Sequence, residues 1–187
     1  KVKNQLYRQW GWKEPRTCLF LDLYRELLPN SKYLVIVRDY AAVVYSLLKR
    51  DFADYEQKYL CRKRLQRLFW LYLRRRKNAR KFYKTHAEDY LKVYIEYNQH
   101  ILNTLKELAS EDYMVVNYSL LEKSDKEVFS FLTGKWHFKL QYHKFNEVYK
   151  KNLMSKAFNV DAYIDDKELI AKANSITTEL KSYIITH

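Results

Sequence analysis

The stretch Thr17–Arg50, TCLFLDLYRELLPNSKYLVIVRDYAAVVYSLLKR, changes its hydrophobic period twice and thereby points to a fold class. Thr17 to Leu28 keeps a helical spacing, with Thr17 placed to cap the first turn and Pro29-Asn30 to end the last. Lys32–Val37, KYLVIV, is instead a short unbroken apolar run rich in β-branched side chains. Such a run between turn residues predicts a strand buried on both faces, as in a parallel sheet. Asp39 then stands as an N-cap, and helical spacing resumes from Tyr40 to about Arg50.

The alternation recurs downstream. Thr85–Glu88, THAE, has the form of a capping box opening a long helix to about Ala109. EDYMVVNY holds a second buried strand, roughly Tyr113–Val116. SDKE at Ser124–Glu127 is another capping box, whose helix should stop with Gly134 at C′. Trp136 to Val160 is less regular, and a last amphipathic helix is expected from about Ile164 to Tyr183. Strands separated by helices predict a helix-rich α/β fold with a parallel sheet. The chain reads as one domain, 1–187, with no internal repeat or linker. Two strands are too few for such a sheet, so more are expected, either before Lys1 or unrecognised within the chain.

Composition narrows the classes. At 187 residues, 48% hydrophobic and 17% aromatic, the chain suits one packed domain and not a disordered one. Two glycines, Gly11 and Gly134, and two prolines, Pro15 and Pro29, argue against a turn-rich all-β fold. They also exclude the GxGxxG and GxxxxGK[ST] phosphate loops. Cys18 and Cys61 form no CxxC pair, and His137 and His143 stand in no ligand spacing, so neither a disulfide framework nor a metal is expected. Asp161 and Asp165-Asp166 read as solvated or capping residues of the last helix. No apolar run is long enough to span a membrane.

The net charge of +13 is local: residues 56–84 carry twelve basic residues against one acidic. On a single helix at about 100° per residue, Lys63, Arg67, Arg74, Lys77, Lys81 and Lys84 share one stripe. Cys61, Leu65, Leu68, Phe69, Tyr72, Ala79 and Tyr83 then form the opposite, core-facing side. Trp70 falls within the stripe. The stripe reads either as solvated surface or as a face for a polyanion, with Trp70 available for stacking.

In parallel α/β sheets, ligands bind beyond the carboxyl ends of the strands. Arg38 stands at such an end, and Ser46, eight residues on, falls on the second turn of the next helix. A strand-end arginine, a helix N-terminus and a hydroxyl can hold a phosphate without any glycine.

WGWKEPR (Trp10–Arg16), YRELLPNSKYLVIVRD (Tyr24–Asp39), Ser46 and MVVNYSLL (Met114–Leu121) together resemble the sulfotransferases that use PAPS, 3′-phosphoadenosine 5′-phosphosulfate. EKSDKEVFSFLTG resembles the helix that follows in that family, and the similarity runs from about Trp10 to Ser155. The resemblance implies a P-loop-like three-layer fold in which Arg38 and Ser46 bind the 3′-phosphate and Tyr118 approaches the adenine. Lys13-Glu14-Pro15 resembles a Lys-Asp-Pro element of tyrosylprotein and related sulfotransferases. That likeness implies catalytic positions for Lys13, beside the transferring sulfuryl group, and for Glu14. Trp10, Trp12 and Arg16, with Trp70, Arg74 and Lys77 of the basic segment, are the residues expected to meet the acceptor. The chain departs from the family in two places. It has no Lys/Arg-Ser-Gly-Thr loop for the 5′-phosphosulfate, and Tyr118-Ser119-Leu120-Leu121 stands where Tyr-Glu-Asp-Leu is common. The loop and the catalytic base are expected before Lys1.

The expected function is transfer of a sulfuryl group from PAPS, without a metal, to a hydroxyl or amine. The acceptor is expected to be a small molecule or a glycan, and an anionic one, such as an acidic glycan or an anionic lipid headgroup, if Lys63, Arg67, Arg74, Lys77 and Lys81 attract it. Two alternatives stand beside it: a nucleic-acid-binding helical module using 56–84, and an inactive nucleotide-binding relative. A cytoplasmic location is expected, or the Golgi lumen for a eukaryotic chain anchored before Lys1.

Overall fold

The computed structural model describes residues 9–148 and 158–184. It is 71% helical with a small parallel sheet, a mixed α/β fold. The elements are α1 (Leu21–Leu27), β1 (Tyr33–Val37), α2 (Tyr40–Leu60), α3 (Arg64–Phe69), α4 (Arg75–Glu107), β2 (Tyr113–Asn117), α5 (Leu121–Ser130), α6 (Phe145–Val148) and α7 (Lys167–Ser182). The chain divides into two compact units. One comprises Lys1–Arg38, Tyr97–Met154 and Glu179–His187; the other comprises Asp39–Glu96 and Ser155–Thr178.

In the first unit β1 and β2 pair in parallel, with Val35 opposite Val115 and Val37 opposite Asn117. Burial on both faces holds for β2, where Met114, Val115 and Val116 are all buried. It does not hold for β1, whose side chains alternate: Leu34 and Ile36 are exposed and Val37 is buried. An apolar run alone does not distinguish these cases, because alternate residues of a strand point to opposite faces. Ile184 adds an isolated parallel bridge to Val115, a third position that the sequence did not reveal. Met114 and Val116 pack with Phe131 and Trp136, and the Trp136 indole donates to the Glu111 carbonyl at 2.8 Å. The strand entrances are tied by Lys32 to Asp112, and Arg25 reaches Glu107 at 2.5 Å.

In the second unit α2 runs ten residues beyond its expected end. Its buried positions, Tyr40, Val44, Leu48, Phe52 and Glu56, recur every four residues, and the last is a carboxylate that a purely apolar reading passes over. Ala87, Leu91, Tyr94 and Ile95 of α4 and Ala173, Ile176 and Thr177 of α7 are also buried in this unit. Tyr94 and Thr177 hydroxyls bond at 2.8 Å, and the Tyr45 ring stacks on Phe158 at 4.0 Å. Asp166 caps α7 by accepting from the Leu169 amide, the role expected of the aspartates there.

The single helix expected over 56–84 is not formed. The chain breaks at Cys61–Lys63, restarts as α3, passes through a π turn at Trp70–Arg74, and runs unbroken through Thr85. Thr85 does not cap; its hydroxyl donates back to the Lys81 carbonyl. Ser124 likewise bonds back to Leu120, so α5 starts at Leu121, directly after a 3₁₀ turn at Tyr118–Leu120. Gly134 is not a left-handed C′ residue: it lies inside a second π turn, Phe131–Lys135, and the positive φ falls on His137, at 55°. Near the N-terminus a 3₁₀ turn, Pro15–Phe20, precedes α1, and Glu14 rather than Thr17 caps it. Among the described residues, no helix is long and apolar enough to cross a membrane.

Two tyrosines of the second unit report its packing. Burial, reinforced by the Asp161 carboxylate that accepts its hydroxyl at 2.8 Å, pushes Tyr40 up to about 12. Burial and Asp51 do the same to Tyr90, also to about 12. Both raise stability that is full below the ordinary tyrosine pKa near 10 and is lost as pH climbs towards about 12. Alkaline absorbance titration should therefore show a late-ionising fraction. Completion of the tyrosine titration near pH 10 would contradict this packing.

Candidate functional site

The candidate site follows from the sheet register. Val37 and Asn117 are partners, so the next residue of each strand, Arg38 and Tyr118, emerges side by side at the carboxyl ends. There the Arg38 guanidinium lies over the Tyr118 ring, 4.5 Å from its centroid. A cation on an aromatic face is attracted by the ring quadrupole and held in orientation. Tyr118 is fixed in turn by Asn117, whose side-chain oxygen accepts from the Ser119 amide at 3.0 Å and from the Ser119 hydroxyl at 2.7 Å. Asn117 escaped the sequence reading, although an Asn at a strand-to-turn junction is the signal for such a cap.

Ser46 lies exposed on the second turn of α2. Asp39 takes the N-cap position of that helix, but its side chain makes no capping bond; its carbonyl accepts from the Ala42 and Val43 amides. The expected Asp39 cap is thus positional and not chemical.

The WGWKEPR stretch forms its own cluster. Trp10 and Trp12 stack with centroids 5.4 Å apart, Trp12 meets Tyr24 at 5.0 Å, and the Trp12 indole donates to the Thr17 hydroxyl at 3.0 Å. Glu14 accepts from the Arg16 amide and, at 3.1 Å, from the Arg16 guanidinium. The backbone amide first and the guanidinium second hold the Glu14 carboxyl below its usual range. A carboxylate so engaged is a poorer proton acceptor. Lys13 is exposed beside it.

Of the expected acceptor residues on the basic segment, Arg74 lies exposed with its guanidinium 4.9 Å from the Phe69 ring, and Lys77 is exposed at the start of α4. Trp70 is turned the other way. It is 3% exposed, stacks on Tyr59 at 3.8 Å, and its indole donates to Glu56 at 2.9 Å. Arg75 joins the same carboxylate at 2.6 Å. Burial opposes the charge on Glu56, but these donors outweigh it and hold the carboxyl below its usual range. Trp70 is therefore an anchor of the packing and not a surface ring. Glu56, the one acid among twelve bases, is the residue whose isolation in the sequence marked a dedicated partner.

No family model matches the chain, and no solved structure matches it. A stretch of 38 residues, 20% of the chain, is 45% identical to a Caenorhabditis elegans protein named "Putative protein-tyrosine sulfotransferase". The match spans 15% of that protein's length.

Proposed function

We propose that the chain carries the nucleotide-binding part of a PAPS-dependent sulfotransferase, in a P-loop-like three-layer fold formed by one domain. The observation that carries the reading is the register-matched pair at the strand ends, Arg38 over Tyr118. Arg38 pairs with the 3′-phosphate through a charge-assisted hydrogen bond, and Tyr118 holds that guanidinium while marking the adenine side. Ser46 is assigned a second 3′-phosphate contact from its spacing. In the reaction the acceptor hydroxyl gives its proton to solvent as its oxygen attacks sulfur, and the S–O bond to 3′-phosphoadenosine 5′-phosphate breaks with its electron pair leaving on the phosphate oxygen. Negative charge then grows on the departing oxygen, where Lys13 offers a cation. Glu14, committed to Arg16, is left out of proton transfer. The acceptor is a hydroxyl compound: the name of the matched nematode protein favours a tyrosyl side chain, beside the carbohydrate expected from sequence.

Calorimetry with 3′-phosphoadenosine 5′-phosphate and with AMP tests the assignment. The 3′-phosphorylated nucleotide should bind more tightly, and equal affinities would refute it. Ser46→Ala should weaken that binding by about 0.5–1.5 kcal/mol, the worth of one neutral donor. Lys13→Ala should slow turnover about tenfold at unchanged nucleotide affinity, because its contact strengthens only as charge develops. Assays offering a tyrosyl peptide and a carbohydrate side by side decide the acceptor class.

A further inference from the structure

The segment following the break at Cys61–Lys63 turns its apolar side outward. Leu65, Leu68, Phe69 and Tyr72 recur at i, i+3, i+4 and i+7, the spacing of a helix face meant for burial. Yet Leu65 is 81% exposed, Tyr72 82% and Leu73 67%. The opposite side of the same segment is already used, since Trp70 and Arg75 both reach Glu56. This ridge is bordered by exposed cations, among them Lys63, Arg64, Arg67, Arg74, Arg76 and Lys77. No acidic residue occurs from Gln57 to Lys84.

We infer that this ridge docks on an anionic lipid bilayer, independently of the nucleotide reading. Leu65, Leu68, Phe69, Tyr72 and Leu73 would enter the headgroup–acyl boundary while the flanking arginines and lysines meet lipid phosphates. Charge selects this occupant over a second copy of the chain, because two such faces would bring like charges together. The side chains select it over a nucleic acid: the ridge is chiefly leucine, and Trp70, a ring suited to stacking on a base, is buried. Cationic borders around an exposed aliphatic crest match a bilayer surface, which supplies negative headgroups above an apolar interior.

Co-sedimentation of the 187-residue chain with vesicles tests the inference, comparing phosphatidylcholine alone with a mixture containing about a third phosphatidylserine. Binding to the anionic vesicles should be about tenfold tighter or more, and should weaken as salt is raised. The combined change Leu65→Ser, Tyr72→Ser and Leu73→Ser should reduce it about tenfold, and so should Arg64→Glu with Arg67→Glu. Cys61 is exposed whereas Cys18 is buried, so a polarity-sensitive dye can be placed on Cys61 without any substitution. Its emission should shift to the blue on anionic vesicles only. Indifference to lipid charge, full binding by the serine variant, or an unshifted dye would overturn the inference. So would a ridge-dependent dimer, or RNA binding, in place of vesicle binding.

Discussion

Glu56→Ala should lower the urea midpoint of the chain sharply, with a loss of about 2–4 kcal/mol. The carboxylate is buried and receives two donors, the Trp70 indole at 2.9 Å and the Arg75 guanidinium at 2.6 Å. Removing it strands the indole in an apolar surround, with Tyr59 stacked on one face. Arg75 is half exposed and can turn to water, which keeps the loss below that of a fully enclosed pair. Glu56→Gln retains an acceptor for Trp70 but loses the charge, and should cost about half as much. The same site predicts an acid limit. Glu56 titrates below the usual 4.5, so its contribution is present above that pH and is lost as pH falls through the lowered value. A Glu56→Ala protein as stable as the parent would mean that Trp70, Tyr59 and Arg75 do not depend on this carboxylate.

The parallel strands and the residues at their ends were legible because both rest on strong local signals. KYLVIV and YMVV are β-branched runs bounded by turn formers; Arg38 follows the first directly, and Tyr118 follows the second after Asn117. Only the pairing register, which needs the fold, places the two side chains against each other. The helical middle was illegible for a different reason. A π turn inserts one residue, so the face presented after Arg74 is rotated by about 100° from the one before Trp70. A single wheel over 56–84 therefore merged two phases; it put Trp70 with the cations and Leu65, Leu68, Phe69 and Tyr72 with the core, whereas the structure does the reverse.

Capping signals failed through chemistry rather than geometry. THAE and SDKE have the residues of a capping box, but the same hydroxyls can donate to a carbonyl four residues back inside a helix. Thr85 and Ser124 both do so. Which alternative wins depends on whether an upstream turn has already nucleated the helix. Upstream of Ser124 that turn is the Asn117-capped Tyr118–Leu120; upstream of Thr85 it is the π turn leading into α4.

Arg38→Ala should weaken binding of 3′-phosphoadenosine 5′-phosphate by about 1.5–3 kcal/mol, or about ten- to hundredfold, while leaving AMP binding nearly unchanged. A hydrogen bond between a guanidinium and a phosphate is charge-assisted, so its loss exceeds that of a neutral donor such as Ser46. Arg38→Lys should recover only part of the loss. A lysine keeps the charge, but it has neither the planar fork that pairs two phosphate oxygens nor the flat cation that lies on the Tyr118 ring. Tyr118→Leu tests the other half of the pair. It removes the ring beneath the guanidinium, 4.5 Å away, without removing the charge, and should cost about 0.5–1 kcal/mol for the lost cation–ring attraction. The double variant Arg38→Ala, Tyr118→Leu then reports the coupling. If the ring acts by orienting Arg38, the second substitution should add almost nothing to the first. Full additivity would show that Tyr118 meets the nucleotide on its own account, as the adenine assignment requires. Loss of AMP and of the 3′-phosphorylated nucleotide to the same extent would move Arg38 away from the 3′-phosphate altogether.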